Sequence, residues 1–445
     1  MGPMASAGAT DAVGRSSRSL RSSISSLDER NYRFYFVGQV VSSAGTWMQT
    51  VAQSFLVLDL THSGTDLGLA TAARFVPIFA LGPAGGVVAD RFDKRRLMAL
   101  TQAAAGLLAA TFAVLITTGE IRMWMIYVLA AALGLVNVVD KPAGQSFIAE
   151  MVRREHLKSA VMLASMTSSI ARVFGAALGG LFVAVFGETT CFTLNALSYG
   201  AVLVSLVLMR QSELRPSEPV TRRKGQVREG LRYVAVRSEL AVPLVMIAII
   251  GTMAWEYQVS LPIVARSSFH GGAGLYGLMT SILGVGSVAG GFPTATRREL
   301  HAVGLSVSAV AWGVTMLGAA AAPDLTLELV ALFAVGFASI AFNVTARAAL
   351  QLAASPEMRG RMMALWSVAW LGSTVVGGPV VGWVGQHFGG RWSLVVGAVP
   401  TLLCGLLALP SLRAVDARSR REPGTERSTG QPRPVTPQLP PYRGG

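Results

Sequence analysis

The sequence has few charged residues for its length. Only 14% of its 445 residues are Asp, Glu, Lys or Arg, whereas 52% are hydrophobic. A soluble domain carries about 25% charged residues. A chain this apolar would expose large apolar surfaces in water, so we expect the lipid bilayer to be its main solvent. Its formal charge of +14 does not indicate nucleic-acid binding, because nearly all Lys and Arg residues lie between apolar segments or in the tails.

Other absences narrow the function further. Cys191 and Cys404 lie far apart in apolar segments, which argues against a disulfide framework or a cysteine metal site. The five histidines form no ligand cluster, and no G-x-x-x-x-G-K-[ST] loop for ATP is present. We therefore expect no cofactor, no metal and no enzymatic activity. Residues 1–30 are polar, so we expect no cleavable signal peptide.

Twelve apolar segments each reach the ~20 residues that a helix needs to cross a bilayer. Their loops differ in charge: one side carries only Arg122, Arg266 and Arg391, and the other side carries the remaining basic residues and both tails. This bias predicts that the N and C termini are cytoplasmic. The predicted spans are 34–59, 66–89, 97–118, 122–143, 160–186, 190–210, 240–265, 273–295, 301–321, 325–347, 360–386 and 391–411.

A basic loop at 211–239 divides the chain into halves at 34–210 and 240–412. Short motifs recur between the halves at a nearly constant offset, which predicts a structural repeat. Two tails flank the halves. Residues 1–33 form a predicted cytoplasmic tail, and residues 413–445, rich in Arg, Pro, Ser and Gly, form a predicted disordered cytoplasmic tail.

The central loop carries an apolar stripe. Val227, Leu231 and Val234 share one helical face between arginines, which favours a short amphipathic helix on an anionic leaflet. The alternative is a solvated linker, because the apolar face is narrow.

A short charged turn joins the second and third spans. Residues 86–95 read GVVADRFDKR, and a turn this charged between two apolar spans must lie at a membrane surface. The pattern resembles the loop signature of the major facilitator superfamily. The motif residues are Gly86, Asp90, Arg91, Lys94 and Arg95. The usual glycine after D-R-x is replaced here by Asp93.

Further motifs resemble the enterobactin-exporter and macrolide-efflux branch of this superfamily. They lie in span 1 (34–50), after span 4 (140–147), at the start of span 6 (191–196) and at the start of span 11 (359–362). The resemblance implies an all-α membrane protein with twelve transmembrane helices in two pseudo-symmetric six-helix bundles, the major facilitator fold. It also implies a substrate site between the halves.

The resemblance implies a proton-driven exporter of a small amphiphilic molecule, such as a drug, siderophore or secondary metabolite. Its expected partners are that substrate, protons and the lipid bilayer, with no nucleic acid, and we expect a monomer. The expected location is the bacterial cytoplasmic (inner) membrane. Two alternatives stay open: a proton-coupled uptake symporter, and a non-transporting membrane protein that serves as a partner or sensor.

Ionisable residues inside spans are the candidates for proton coupling, because charge in hydrocarbon is costly unless it serves a purpose. Glu256 lies within span 7, and desolvation would favour its neutral form. Arg74 lies at similar depth in span 2, either as a counter-charge or as a structural group bonded to helix carbonyls. Asp140 ends span 4 and is more simply interpreted as an interface cap.

The resemblance implies further roles. Polar and aromatic residues on spans 1, 4, 7 and 10 would line the cavity, although each would also suit a helix interface: Trp47, Gln49, Gln53, Asn137, Trp255, Gln258 and Asn343. Asp90 would meet the helix start at Arg359 and Gly360 as a conformational latch. In span 5 the resemblance identifies Arg172 near the inner end and a glycine framework of Gly175, Gly179 and Gly180, with Ala176 where efflux antiporters carry proline.

Overall fold

A computed structural model of the chain describes residues 25–215, 232–235, 237–295, 302–355, 357–372 and 374–421. These residues form fourteen α-helices of eleven or more residues and no strand. The helices are α1 Arg30–Thr61, α2 Gly64–Arg91, α3 Lys94–Thr117, α4 Met123–Met151, α5 Leu157–Phe186, α6 Glu188–Leu208, α7 Ser238–Ala254, α8 Tyr257–Ser267, α9 Ala273–Ala295, α10 Ala302–Ala321, α11 Leu325–Ala353, α12 Arg359–Leu371, α13 Thr374–Phe388 and α14 Gly390–Arg421.

Most of these helices are long and apolar enough to cross a membrane. The described residues contain ten such spans, in which α7 with α8, and α12 with α13, each form one span. The α2 helix bends by 66° between Gly82 and Ala84 and adds an eleventh. The α1 helix is 32 residues long, but it is not among the helices that meet this apolarity. The count of twelve spans therefore stays a prediction.

The helices pack in the same pattern in both halves. In the first half, α2 packs on α4 and α3 packs on α6; in the second, α9 packs on α11 and α10 packs on α14. The large contacts between the halves are also related by this repeat, since they join α2 to α13 and α5 to α9. Single glycines with positive φ, Gly187 and Gly389, make the corresponding tight turns before α6 and α14.

One span of the second half is interrupted within the described residues. The interruption between α7 and α8 falls at Trp255 and Glu256. The matching span of the first half, α1, is continuous.

We call the end of the bundle that holds the α1–α2 turn the distal end, and the end that holds the α2–α3 turn the proximal end. At the distal end, α2 and α13 touch backbone to backbone. A Cβ atom added at Gly68 would lie 2.3 Å from the Gly378 carbonyl oxygen, and one added at Gly382 would lie 2.1 Å from the Gly64 carbonyl oxygen. We call these four glycines the distal contact.

Polar groups and a second glycine contact also join the halves at this end. The Gln386 Oε1 atom accepts hydrogen bonds from the hydroxyls of Ser63 and Thr65, at 2.9 and 2.7 Å. Arg266 Nη1 lies 2.5 Å from Asp59 Oδ1. Between α5 and α9, a Cβ atom at Gly180 would lie 2.7 Å from the Ala273 carbonyl oxygen. The structure is therefore closed at its distal end.

The structure corrects both predicted tails. Residues 25–33 are not part of a tail, because Ser25–Asp28 form a 3-10 turn, Ser26 is buried against Ser159, and α1 begins at Arg30. The α14 helix continues to Arg421, past the predicted start of the disordered tail at residue 413. Apolar packing and a cap explain this extension: Leu412 is buried, and the Asp416 carboxylate accepts hydrogen bonds from the first two backbone N–H groups of α10.

Most of the predicted amphipathic helix in the central loop lies outside the described residues, including Val227 and Leu231. Residues 232–235 are helical, and Val234 is buried in the core of the second half. Tyr233 donates a hydrogen bond to the Ser355 hydroxyl at 3.4 Å, after the end of α11.

The distal contact predicts a sharp difference between two glycines. We expect Gly68→Ala to disfavour the distally closed state by about 1–3 kcal/mol, because the new methyl group meets backbone atoms that cannot rotate away. Faster reaction of a Thr71→Cys thiol with a reagent supplied at the distal side would report the opening. Gly200→Ala on α6 is the control, since nothing lies within 4 Å of its added Cβ atom. Equal reactivity of the two variants would contradict the prediction.

Candidate functional site

Glu256 lies in the break between α7 and α8, and its side chain is turned towards α13. It is 4% exposed. Its carboxyl group accepts a hydrogen bond from the Thr374 hydroxyl, and its Oε1 atom is buried with no hydrogen-bond partner. The glycine pair of α13 creates the space: a Cβ atom at Gly377 would lie 3.1 Å from the Glu256 Cγ atom. A carboxyl group in such a place is costly to ionise.

Gly378 connects this carboxyl group to the distal contact. A Cβ atom at Gly378 would lie 3.0 Å from the Gly68 carbonyl oxygen and 3.8 Å from Glu256 Oε2. The carboxyl group therefore lies beside the face of α13 that α2 covers. Separation of α2 from α13 would uncover this face next to Glu256.

Arg74 borders a small polar cavity between the halves. It does not form an ion pair with Glu256 within the part of the chain that the structure describes. Gly134 lets α4 approach closely here, because a Cβ atom would lie 2.1 Å from the Arg74 carbonyl oxygen. The cavity is lined by Thr50, Gln53, Ser54, Leu67, Ala70, Thr71, Arg74 and Gln258.

Asp140 joins two helices of the first half instead of facing this cavity. Its Oδ1 atom accepts hydrogen bonds from the Thr101 hydroxyl at 2.7 Å and from Gln102 Nε2 at 2.8 Å, both on α3. The contact lies in the proximal part of α4. This environment agrees with the simpler interpretation of Asp140 as an interface group.

The structure divides the amide candidates between the cavity and helix interfaces. Gln53 and Gln258 line the cavity with Arg74. Gln49 is buried, and its Oε1 atom accepts a hydrogen bond from Asn195 on α6 at 2.5 Å. Asn137 donates to a carbonyl of its own helix, and Asn343 is half-buried on α11.

The aromatic candidates also separate. Trp47 is half-buried, and its Cβ atom lies where Gly175 allows close approach of α5. Trp255 belongs to a cluster of rings that the sequence did not identify. Its centroid lies 4.7 Å from that of Trp370 and 6.0 Å from that of Tyr257. Trp366 stacks on Trp370 at 5.8 Å with an interplanar angle of 8°. Trp366 and Trp370 are four residues apart on predicted span 11, a spacing that places two side chains on the same helix face. Their contact could therefore have been predicted from the sequence.

Arg172 lies at the middle of α5, not at the inner end where it was expected. It is half-buried, its Nε atom is buried without a hydrogen-bond partner, and its charge interacts with Tyr257 of the other half. Tyr257 in turn accepts a hydrogen bond from Trp312 Nε1 at 2.7 Å. Gly175 and Gly179 pack α5 on α1, whereas Gly180 packs it on α9.

The charged turn between α2 and α3 is bound largely within the first half. Lys94 Nζ lies 2.5 Å from Glu150 Oε1, and both side chains are less than a tenth exposed. Arg95 donates to the Leu206 carbonyl oxygen at 2.8 Å. Asp93 stands in place of the usual glycine. Its carboxylate caps α3 by accepting a hydrogen bond from the Arg96 backbone N–H at 2.7 Å.

The remaining latch residues belong to two helices, α2 of the first half and α12 of the second. Gly86 is buried, Asp90 is half-buried near the end of α2, and Arg91 is exposed. Arg359 begins α12 and donates to the Gln351 carbonyl oxygen at 3.1 Å, beside an exposed Gly360.

Glu328 is a second buried carboxyl group that the sequence did not identify as a site. It is 1% exposed in the first turn of α11, its Oε1 atom has no hydrogen-bond partner, and the charge of Arg391 acts on it. Only the packing of the helices around its first turn shows that it is buried.

Comparison with known proteins gives a consistent result. The family described as "Transmembrane secretion effector" matches residues 21–430. The MFS-type transporter YfiS of Bacillus subtilis is 25% identical over 400 residues, covering 85% of this chain and 93% of YfiS. The enterobactin exporter EntS of Salmonella choleraesuis is 24% identical over 387 residues, covering 85% of this chain and 91% of EntS.

Other similarities extend this picture. The staphyloferrin A transporter of Staphylococcus aureus is 24% identical over 258 residues, covering 58% of this chain and 64% of that protein. Among solved structures, a bacterial homolog of the human lysosomal transporter Spinster superposes with a TM-score of 0.69 at 14% identity. It covers 89% of this chain and 100% of the other. The chain therefore has the major facilitator fold.

The buried Lys94–Glu150 pair predicts a selective loss of stability. We expect Lys94→Met to destabilise the protein by about 3–5 kcal/mol, because it removes the cation of a buried ion pair from the Glu150 carboxylate. The thermal midpoint of the detergent-solubilised protein measures this. Arg91→Met removes an exposed cation of the same turn and should change stability by less than about 0.5 kcal/mol. If the two variants melted alike, the buried pair would not have the assigned role.

Proposed function

The chain belongs to the transmembrane secretion effector family of major facilitator transporters, and from this we propose that it exports a small amphiphilic molecule in exchange for protons. It is a membrane transporter and not an enzyme. Relatives named as enterobactin exporters and as a staphyloferrin A transporter support a siderophore or a similar metabolite or drug as cargo.

One observation carries the proton-coupling part of the proposal: the Glu256 carboxyl group lies beside the face of α13 that α2 covers in the distal contact. A Cβ atom at Gly378 would lie 3.0 Å from the Gly68 carbonyl oxygen and 3.8 Å from Glu256 Oε2, so the carboxyl group is next to the point where α2 and α13 touch. When α2 moves away from α13, we expect the carboxyl group to exchange a proton with the distal solution past Gly378, which has no side chain. Distal opening and protonation of Glu256 are thereby linked.

The cavity beside Arg74 supports transport by alternating access. It lies between the halves, below a distal end closed by glycine contacts and by the bonds of Gln386. Rocking of the α1–α6 half against the α7–α14 half would open the distal end and close the proximal one. The distribution of Lys and Arg favours a cytoplasmic proximal end, so the distal side would face outwards in a bacterial inner membrane.

Asp90 completes the cycle as a proximal latch. We propose that, when the proximal end closes, its carboxylate meets the N-terminal turn of α12 at Arg359 and Gly360. A carboxylate at a helix N-terminus stabilises by up to ~1 kcal/mol when it is exposed.

Glu256→Gln tests the coupling role. We expect it to abolish proton exchange, because an amide of nearly the same shape cannot load or release a proton. Inverted membrane vesicles with an established gradient and a pH-sensitive dye would measure collapse of the gradient on addition of candidate compounds. Glu120→Gln, at an exposed distal carboxylate, is the matched control.

Two results would argue against this assignment. Undiminished gradient collapse in the Glu256→Gln vesicles would show that Glu256 does not couple transport to protons. Movement of the compound in the same direction as the protons would favour uptake by symport. No response from the unmodified protein across a broad panel would favour a non-transporting membrane protein.

The latch has its own test. We expect Asp90→Asn to shift the population towards the proximally open state by about fivefold, the equivalent of ~1 kcal/mol at a helix N-terminus. The labelling rate of a Ser367→Cys thiol on α12 would report this shift from the proximal side. Asp93→Asn removes the same charge from the same turn but keeps a good N-cap, so its labelling rate should stay unchanged. A rise in both variants would point to a general charge effect instead.

A further inference from the structure

Two arginine side chains near the boundary between the halves have no carboxylate partner among the described residues. Arg74 borders the cavity, and Arg172 lies at the middle of α5. Neither guanidinium group forms an ion pair within that part of the chain. A cation held in a low-dielectric site without an opposite charge is costly, so the site has a deficit of negative charge. A third arginine, Arg347, is exposed near the proximal end of α11.

Glu256 does not supply the missing charge. It precedes Tyr257 in sequence, but its carboxyl group is 4% exposed and is turned to Thr374 and Gly378 on α13. Two other carboxyl groups are buried: Glu150 is paired with Lys94, and Glu328 lies in the first turn of α11 at the distal end. Compensation for Arg74 and Arg172 must therefore come from outside these carboxylates.

An aromatic strip connects the arginines. Trp366, Trp370, Trp255 and Tyr257 follow one another with centroid distances of 5.8, 4.7 and 6.0 Å. At its proximal end, the Arg347 guanidinium lies 5.3 Å from the Trp366 ring centroid. At its deep end, Arg172 interacts with Tyr257, and the next residue, Gln258, shares the cavity with Arg74.

The strip is not entirely a packed core. Of its four rings, those of Trp370 and Tyr257 are buried, but those of Trp255 and Trp366 are half-buried. Both Trp366 Nε1 and Arg172 Nε are buried polar atoms without a hydrogen-bond partner. Buried donors are nearly always satisfied in a protein interior, so these two N–H donors beside one strip are suited to receive the acceptor groups of a ligand.

We propose that the cargo is an aromatic anion, a planar ring system that carries a carboxylate, phenolate or similar oxyanion. Its rings would stack along the aromatic strip, and its oxyanion would receive hydrogen bonds from Arg172 and Arg74 at the deep end. Arg347 would attract the anion at the proximal end, where it enters. Stacking and charge-assisted hydrogen bonding are the interactions that these side chains form best. This inference rests on the proposed transport function and specifies its substrate class.

A matched series of ligands tests the substrate class. Naphthoate, naphthamide and naphthylmethylammonium share a ring system but are anionic, neutral and cationic, and decalincarboxylate keeps the anion without aromaticity. Calorimetric titration of the purified full chain in detergent would measure their dissociation constants. We expect naphthoate to bind about tenfold or more tightly than each of the other three, the effect of one buried charge-assisted hydrogen bond or one stacked ring.

Variants then assign the anion to its arginines. Arg172→Gln should weaken naphthoate binding by about tenfold or more and leave naphthamide binding unchanged. Arg172→Lys should restore part of the affinity, because it returns the charge without the planar fork. Arg154→Gln, at an exposed arginine, is the control. Arg74→Gln gives the same test at the second guanidinium if Arg172→Gln does not yield a monodisperse protein.

Three results would overturn the inference: equal or tighter binding of the neutral or cationic ligand, full naphthoate affinity in both arginine variants, or no binding by any member of the series. The vesicle assay separates these results from failure of the proposed function. Gradient collapse by a neutral or cationic compound would keep the exporter and exclude the aromatic anion. No gradient collapse by any compound, together with selective naphthoate binding, would keep the binding site and exclude proton-coupled export.

Discussion

The close approach of α2 and α13 is the constraint on which the rest of the structure depends. The two backbones touch without side chains between them, so even one added methyl group would overlap a carbonyl oxygen. The contact therefore has no partly closed form. The α5–α9 pair repeats this arrangement on the other side of the bundle. Such contacts are either made or absent, which gives the two halves discrete positions relative to each other instead of a continuous range.

The second half combines this rigid contact with irregular backbone. Its interrupted span passes through Glu256, where α7 and α8 meet, and Thr374 in the first turn of α13 hydrogen-bonds the carboxyl group. Helix ends at membrane depth carry backbone groups that are not paired within a helix. The first half, with continuous α1 and α5, supplies glycines and arginines instead. The repeat thus gives one fold to two halves that differ in chemistry.

Much of this fold could be predicted from the sequence, because apolar length and loop charge are local properties. The short turns at Gly187 and Gly389 and the charged loop at Asp90 could be predicted for the same reason, because neighbouring residues specify each of them. The break at Trp255, the pairing of Lys94 with Glu150 and the position of Arg172 could not be predicted, since each depends on which helix lies alongside. Gln49 shows the limit well: an amide at the right depth turned towards α6 because Asn195 offered a partner there.

The extension of α14 has a consequence for how the chain is made. Asp416 holds the first two backbone N–H groups of α10, yet it lies more than a hundred residues downstream of them. During synthesis the ribosome delivers α10 to the membrane long before its cap exists. Until translation reaches this last helix, the start of α10 must rely on water or lipid head groups at the interface. The carboxyl-terminal extension of α14 therefore forms its contact with α10 late in synthesis. Assembly of the second half is complete only when translation has passed Asp416.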